Sequence, residues 1–150
     1  MSRRSSQANS GVLLDTSFLL PIIGFETSDR VMRAFQKLGF YELYYSEISI
    51  LEALWKIVKV VKGVEEELSR IEEGIRAIRE SMRHASVNGE AVKNAIHMYK
   101  LGHRDMVDNL LYSIAVSNKL KLLTVDEDLV GFVKKHGLVR EYIVTPEELD

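Results

Sequence analysis

Six acidic side chains stand where carboxylates can do chemistry. Asp15 closes the apolar run Val12-Leu13-Leu14 and is followed by Thr16 and Ser17. Glu52 sits inside a helical stretch among Ile48, Leu51 and Trp55, with Glu47 five residues earlier. Asp105 and Asp108 are three apart at a helix start, so both side chains point to one side of its first turn. Asp126 and Asp128 follow the apolar run over 121–125. Each has an ordinary explanation when taken alone. Asp15, Asp105, Asp126 or Asp128 serve as helix N-caps, Asp108 complements a helix dipole, and Glu52 is a solvated position. Their joint placement at a strand end, a helix, a helix start and a second strand end is what matters, because a parallel α/β sheet converges such positions. Clustered carboxylates repel and raise one another's pKa unless a cation offsets them. Oxygen-only ligands and the absence of cysteine favour Mg²⁺ or Mn²⁺ over Zn²⁺. Two such ions, roughly 3.5–4 Å apart, would stabilise both the attacking and the leaving oxygen of a phosphodiester. The hydroxyls of Thr16 and Thr124 are candidates to orient a carboxylate or a phosphate.

The elements that position these acids follow from periodicity. Short apolar runs predict strands over 12–14, 41–45, 121–125 and 142–144, with Pro146 ending the last. Ser28 and Asp29 open a predicted helix over 28–38 that Gly39 closes, and Ser46 is the predicted N-cap of a largely buried helix over 46–61. Asp15 is expected to cap no more than a helical turn at 18–20. After Gly63, the residues Val64, Leu68, Ile71, Ile75, Ile78, Met82 and Ala85 recur at alternating spacings of four and three. That narrow seam predicts packing against another helix, with Ile50, Leu54, Ile57 and Val61 as partners in a hairpin bent at Gly63. Gly74 interrupts the seam without an evident reason. Further helices are predicted over 90–101, 105–118 and 129–135. Strands separated by helices imply crossover connections and a mostly parallel sheet, whose sites lie beyond the carboxyl ends of the strands.

Composition narrows the function classes. A chain of 150 residues suffices for one domain, and no apolar run approaches the roughly 18 residues of a membrane span. The domain is expected over 11–150. The acid-free opening MSRRSSQANS lacks an apolar core, so residues 1–10 are expected to be a disordered tail and not a secretory signal. With no cysteine, disulfides, thiolate metal sites and cysteine nucleophiles are excluded, and a cytoplasmic location is expected. The net charge of −2 means that any attraction to nucleic acid must come from a local basic patch. Lys56, Lys59 and Lys62, or Arg76, Arg79 and Arg83, could contact phosphate, although a solvated helix face paired with Glu65, Glu72 and Glu80 is the favoured reading. No P-loop and no G-x-G-x-x-G is present, and His84, His97, His103 and His136 show no H-x-x-x-H pairing. The single acid after the first strand fits neither a haloacid-dehalogenase-type phosphatase nor a receiver domain.

The ordered set VLLDTSFLL, SEISILEALW, RDMVDNLLYSIAV and LLTVDEDL resembles the PIN-domain ribonucleases, especially the VapC-type toxins of toxin–antitoxin pairs. The resemblance implies a three-layer α/β/α sandwich with a mostly parallel sheet. It also implies hydrolysis of RNA by metal-activated water, with Asp15, Glu52, Asp108 and Asp126 as catalytic, metal-binding residues and Asp105 and Asp128 as accessory acids. Glu52 is preferred to Glu47 because the family places its acid inside the helix. An antitoxin partner, a homodimer and an antitoxin-binding arm at the Gly63 hairpin are further implications. A processing or quality-control nuclease and a non-catalytic protein-binding module of the same fold stay open beside the toxin.

Overall fold

The computed structural model describes residues 11–149, so the expectation of a disordered tail over 1–10 lies outside the described residues. Five parallel strands form one sheet: β1 (Gly11–Leu14), β2 (Glu42–Tyr45), β3 (Arg83–His84), β4 (Lys121–Leu123) and β5 (Ile143–Val144). Their order is β3-β2-β1-β4-β5, which puts β1 at the centre. Leu13 pairs with Tyr44 and Leu122, and Leu14 with Leu123. The pleat therefore sends Leu13, Leu122 and Ile143 to one face, and Val12, Leu14, Leu123 and Val144 to the other.

Among the described residues, seven α-helices cover the two faces. On one lie α1 (Thr16–Ile23), α2 (Asp29–Ala34), α3 (Glu47–Ile57) and α4 (Glu65–Ser81); on the other lie α5 (Gly89–Leu101), α6 (Met106–Asn118) and α7 (Glu127–Lys135). This is the expected three-layer sandwich, and both faces of the sheet are apolar because both are covered. Among the described residues no helix is long and apolar enough to cross a membrane.

Several expected elements differ in extent or kind. Asp15 caps a full helix, α1, where a single turn over 18–20 was expected; TSFLLPII is apolar all round, so it shows no amphipathic period. The helix expected over 28–38 tightens after Ala34 into a 3-10 segment, Phe35–Phe40. The helix expected to reach 61 ends at Ile57. The seam was expected to stay helical through Met82 and Ala85, but Met82 is an extended C-cap and Arg83–His84 form the edge strand β3. The turn at Gly63 does occur, at a φ of 87°, and Glu67 Oε1 accepts from the backbone N–H groups of Lys62, Gly63 and Val64.

The seam also packs against a different helix from the one expected. Its buried residues Ile71, Gly74 and Ile78 lie against α1, and α3 is a secondary neighbour. Gly74 gains its reason here, because a Cβ would come within 2.6 Å of Ile23 Cα. Between α3 and α4 the hairpin leaves an open groove of about 560 Å³, lined by Ile50, Leu54, Leu68, Ile71 and Ile75.

Candidate active site

The strand order reverses beside β1, because the chain builds β2 and β3 on one side of it and returns to add β4 on the other. Such a switch point leaves a crevice past the carboxyl ends of β1 and β4. Asp15 and Asp126 follow those two ends. Asp15 is the N-cap of α1, with Oδ1 accepting from Ser17 N at 3.0 Å, and is only 7% exposed. Asp126 is the N-cap of α7, accepting from Asp128 N at 2.9 Å and Leu129 N at 3.1 Å. Asp105 caps α6 by accepting from Asp108 N at 3.1 Å. The capping explanations are thus real, and the acids converge as well.

Asp105, Asp108 and Asp126 each offer an oxygen, and the three oxygens lie within 4.8 Å of one another. Oδ2 of Asp108 is buried with no hydrogen-bond partner. Burial, and then the proximity of Asp126, pushes the Asp108 carboxyl well above the usual range, with Asp105 and Asp15 adding repulsion. Asp126 moves the other way, held down chiefly by its contact with Asp108. Two carboxylates are both acceptors, so without a cation they can bond only through a proton held between them.

Beside this trio sits a second pair. Burial raises the Asp15 pKa from 3.8 to about 6, against the lowering hydrogen bonds from Thr124 and Ser17; Glu52 adds repulsion and Lys56 attraction. Thr16 Oγ1 donates to Glu52 Oε1. The Thr124 hydroxyl accepts from Asp126 N at 3.0 Å and also bonds Asp15, so it links the two acid groups. Of the six acids singled out, Asp15, Glu52, Asp105, Asp108 and Asp126 come together at the crevice. Asp105 lies closer to Asp108 and Asp126 than its accessory role suggests. Asp128 is exposed on the first turn of α7 and stands outside the tight trio. Glu47 is gripped by Arg79 at 2.6 and 2.9 Å, whereas Glu52 faces Asp15. The arginines at 76, 79 and 83 pair with Glu72, Glu47 and Glu42, as on a solvated face.

Two supporting residues carry no signal of their own in the sequence. Asn109 is fully buried; its Oδ1 lies 2.7 Å from His103 Nδ1 and its Nδ2 donates to the His103 carbonyl at 2.7 Å. It thereby fixes the loop that delivers Asp105. His103, expected to be an ordinary surface or core histidine, stands near enough to Asp126 to lower its pKa and packs on the Phe132 ring at 5.0 Å.

An orphaned buried oxygen among converging carboxylates, with oxygen donors only, suits a hard divalent cation. The family model described as PIN domain matches residues 12–135. The chain belongs to the PIN domain family. No curated protein matches the sequence. Solved structures with this PIN fold include FitAcB from Neisseria gonorrhoeae, 16% identical with a TM-score of 0.63, aligned over 92% of this chain and 99% of that one. A toxin–antitoxin complex from Klebsiella pneumoniae is 15% identical, with a TM-score of 0.60 and coverage of 90% and 97%. VapC20 from Mycobacterium tuberculosis, described as a sarcin-ricin loop cleaving toxin, is 17% identical, with a TM-score of 0.55 and coverage of 86% and 97%.

Proposed function

We propose that this PIN domain is a metal-dependent endoribonuclease and the toxin of a toxin–antitoxin pair, working in the cytoplasm. The observation that carries the reading is the convergence of Asp105, Asp108 and Asp126 on one point, with Asp15 and Glu52 beside them. Asp15, Glu52, Asp108 and Asp126 would hold Mg²⁺ or Mn²⁺, with Asp105 completing the set and Asp128 available at the rim. The bound ion would supply charge stabilisation at the phosphodiester and lower the pKa of the attacking water. Thr16 orients Glu52, and Thr124 orients Asp15 while holding the Asp126 backbone. Lys56, which already offsets the Asp15 charge, is placed to meet an incoming phosphate.

The partners follow from exposed apolar surface. The α3–α4 groove, with Leu51 and Trp55 exposed on the same helix α3, is the proposed seat of an antitoxin; toxin–antitoxin complexes among the solved structures support this. Val92, Ile96 and Tyr99 form an exposed stripe along α5, which is the proposed homodimer surface. Cleavage of structured and unstructured RNA in Mg²⁺ or Mn²⁺, beside an Asp108→Asn control, tests the enzyme. Metal-dependent cleavage lost in the control is expected. Cleavage that survives chelator or persists in the variant refutes the assignment.

A further inference from the structure

A further concave feature lies away from the acids, between α2 and the 3-10 turn Pro146–Glu148. It is a cleft of about 230 Å³ whose lining includes Arg30, Arg33, Lys37, Ala34, Pro146 and Glu147. Arg30 and Arg33 share one face of α2, and Lys37, in the 3-10 segment that continues it, lines the same cleft. Glu147 is the only acid in the lining, and Arg30 holds it with two bonds of 2.7 Å, while Arg33 feels its charge without bonding it. That leaves Arg33 with no ion pair among the described residues. Lys37 spends one hydrogen on the Leu149 carbonyl at 3.2 Å and keeps two donors. The arginines at 76, 79, 83 and 140 are each neutralised by a glutamate instead.

The cleft is smaller than the roughly 300–1,000 Å³ of small-molecule sites and has no aromatic wall on which a base could stack. It suits a compact anion recognised by charge. Its place in the fold puts it at the same end of the sheet as the crevice: the turn Pro146–Glu148 follows the carboxyl end of β5, the strand beside β4. The whole chain carries a net charge of −2, so a polyanion needs such a local foothold.

We infer that Arg33 and Lys37, with Arg30 as their charged neighbour, bind a backbone phosphate of the RNA strand while the strand crosses the acidic crevice. The inference rests on the ribonuclease reading and deepens it by assigning a substrate-holding site that reads backbone and not sequence.

The test uses the full chain in an Asp108→Asn background, so that RNA stays intact. Arg33→Glu/Lys37→Glu is compared with Lys134→Glu/Lys135→Glu, an equal change of charge at the exposed far end of α7. Anisotropy of a labelled single-stranded RNA in Mg²⁺, between 50 and 200 mM salt, reads binding. Melting curves check that both variants fold. The cleft variant is expected to bind about tenfold more weakly, with a salt slope shallower by about 1, and the comparison variant to stay within about twofold. Equal affinity in the two variants overturns the inference, as does a loss confined to a duplex DNA of the same sequence. Cleavage by the otherwise wild-type protein is run in parallel. Cleavage with an unchanged KM in the cleft variant overturns the phosphate site and leaves the nuclease standing. Absence of both cleavage and RNA binding overturns both.

Discussion

Replacing Asp15 by asparagine should stabilise the metal-free protein at alkaline pH, although it removes a candidate active-site residue. Burial raises the Asp15 pKa from 3.8 to about 6. A carboxyl with a raised folded-state pKa favours folding while it is protonated, and that advantage is lost as pH rises through the folded value. The penalty of ionising Asp15 in the folded state therefore grows between about pH 4 and 6. At about 1.36 kcal/mol per unit, it levels off near 3 kcal/mol by pH 8 and is only about 0.5 kcal/mol at pH 4. Asparagine carries no charge yet caps α1 about as well, so the bond from Ser17 N is kept. Urea unfolding in chelator at pH 4 and pH 8 is the assay. The variant should gain about 3 kcal/mol at pH 8, or about 6–12 °C in melting temperature for a chain of this size, and little at pH 4. A variant equally or less stable than the wild type at pH 8, or a gain independent of pH, would refute the buried, uncompensated carboxylate.

Thr16→Val removes the hydroxyl that holds Glu52, and should cost about 10–100-fold in metal affinity or cleavage with little change in melting temperature; calorimetric metal titration reads it. Gly74→Ala should lose about 1–2 kcal/mol by denaturant titration, because its Cβ meets the Ile23 backbone at 2.6 Å and that clash exceeds the roughly 1 kcal/mol gained in helix propensity. Ile78→Asp puts a charge at a fully buried position and should abolish folding by circular dichroism, whereas Leu68→Asp, on the exposed groove wall, should fold normally and lose only antitoxin capture.

The sheet and its acids were legible because their signals are local. Apolar runs ending on Asp15 and near Asp126 mark strand ends, and a parallel sheet then places both at one edge. Ser28, Ser46 and Asp105 announced their helices by chemistry that the structure repeats, each accepting from a backbone N–H of the first turn. The features that escaped depend on what lies across a contact. Helix α1 is buried on most sides and so lacks a polar stripe, and a two-residue edge strand such as Arg83–His84 is too short to show a period. The seam of α4 revealed an apolar face but not its partner, and Gly74 made sense only once Ile23 lay against it. Likewise, the sequence placed Asp105 and Asp108 on one helix turn, but their closeness to Asp126 comes from α6 and α7 starting side by side at the sheet edge.

On the proposed reading, the clustered carboxylates form a divalent-cation site that drives RNA cleavage. Its most direct test is the melting temperature of wild-type protein and of Asp108→Asn in chelator and in millimolar Mn²⁺, read beside RNA cleavage in the same buffers. Selective binding to the folded state at about 100 times Kd is worth about 2.7 kcal/mol, so Mn²⁺ should raise the wild-type midpoint by several degrees and switch on cleavage. Asp108→Asn should show neither effect, while its chelated form melts no lower than the chelated wild type, because a buried, repelled carboxylate has been removed. A wild-type protein whose melting ignores Mn²⁺ and whose RNA stays intact would contradict the claim.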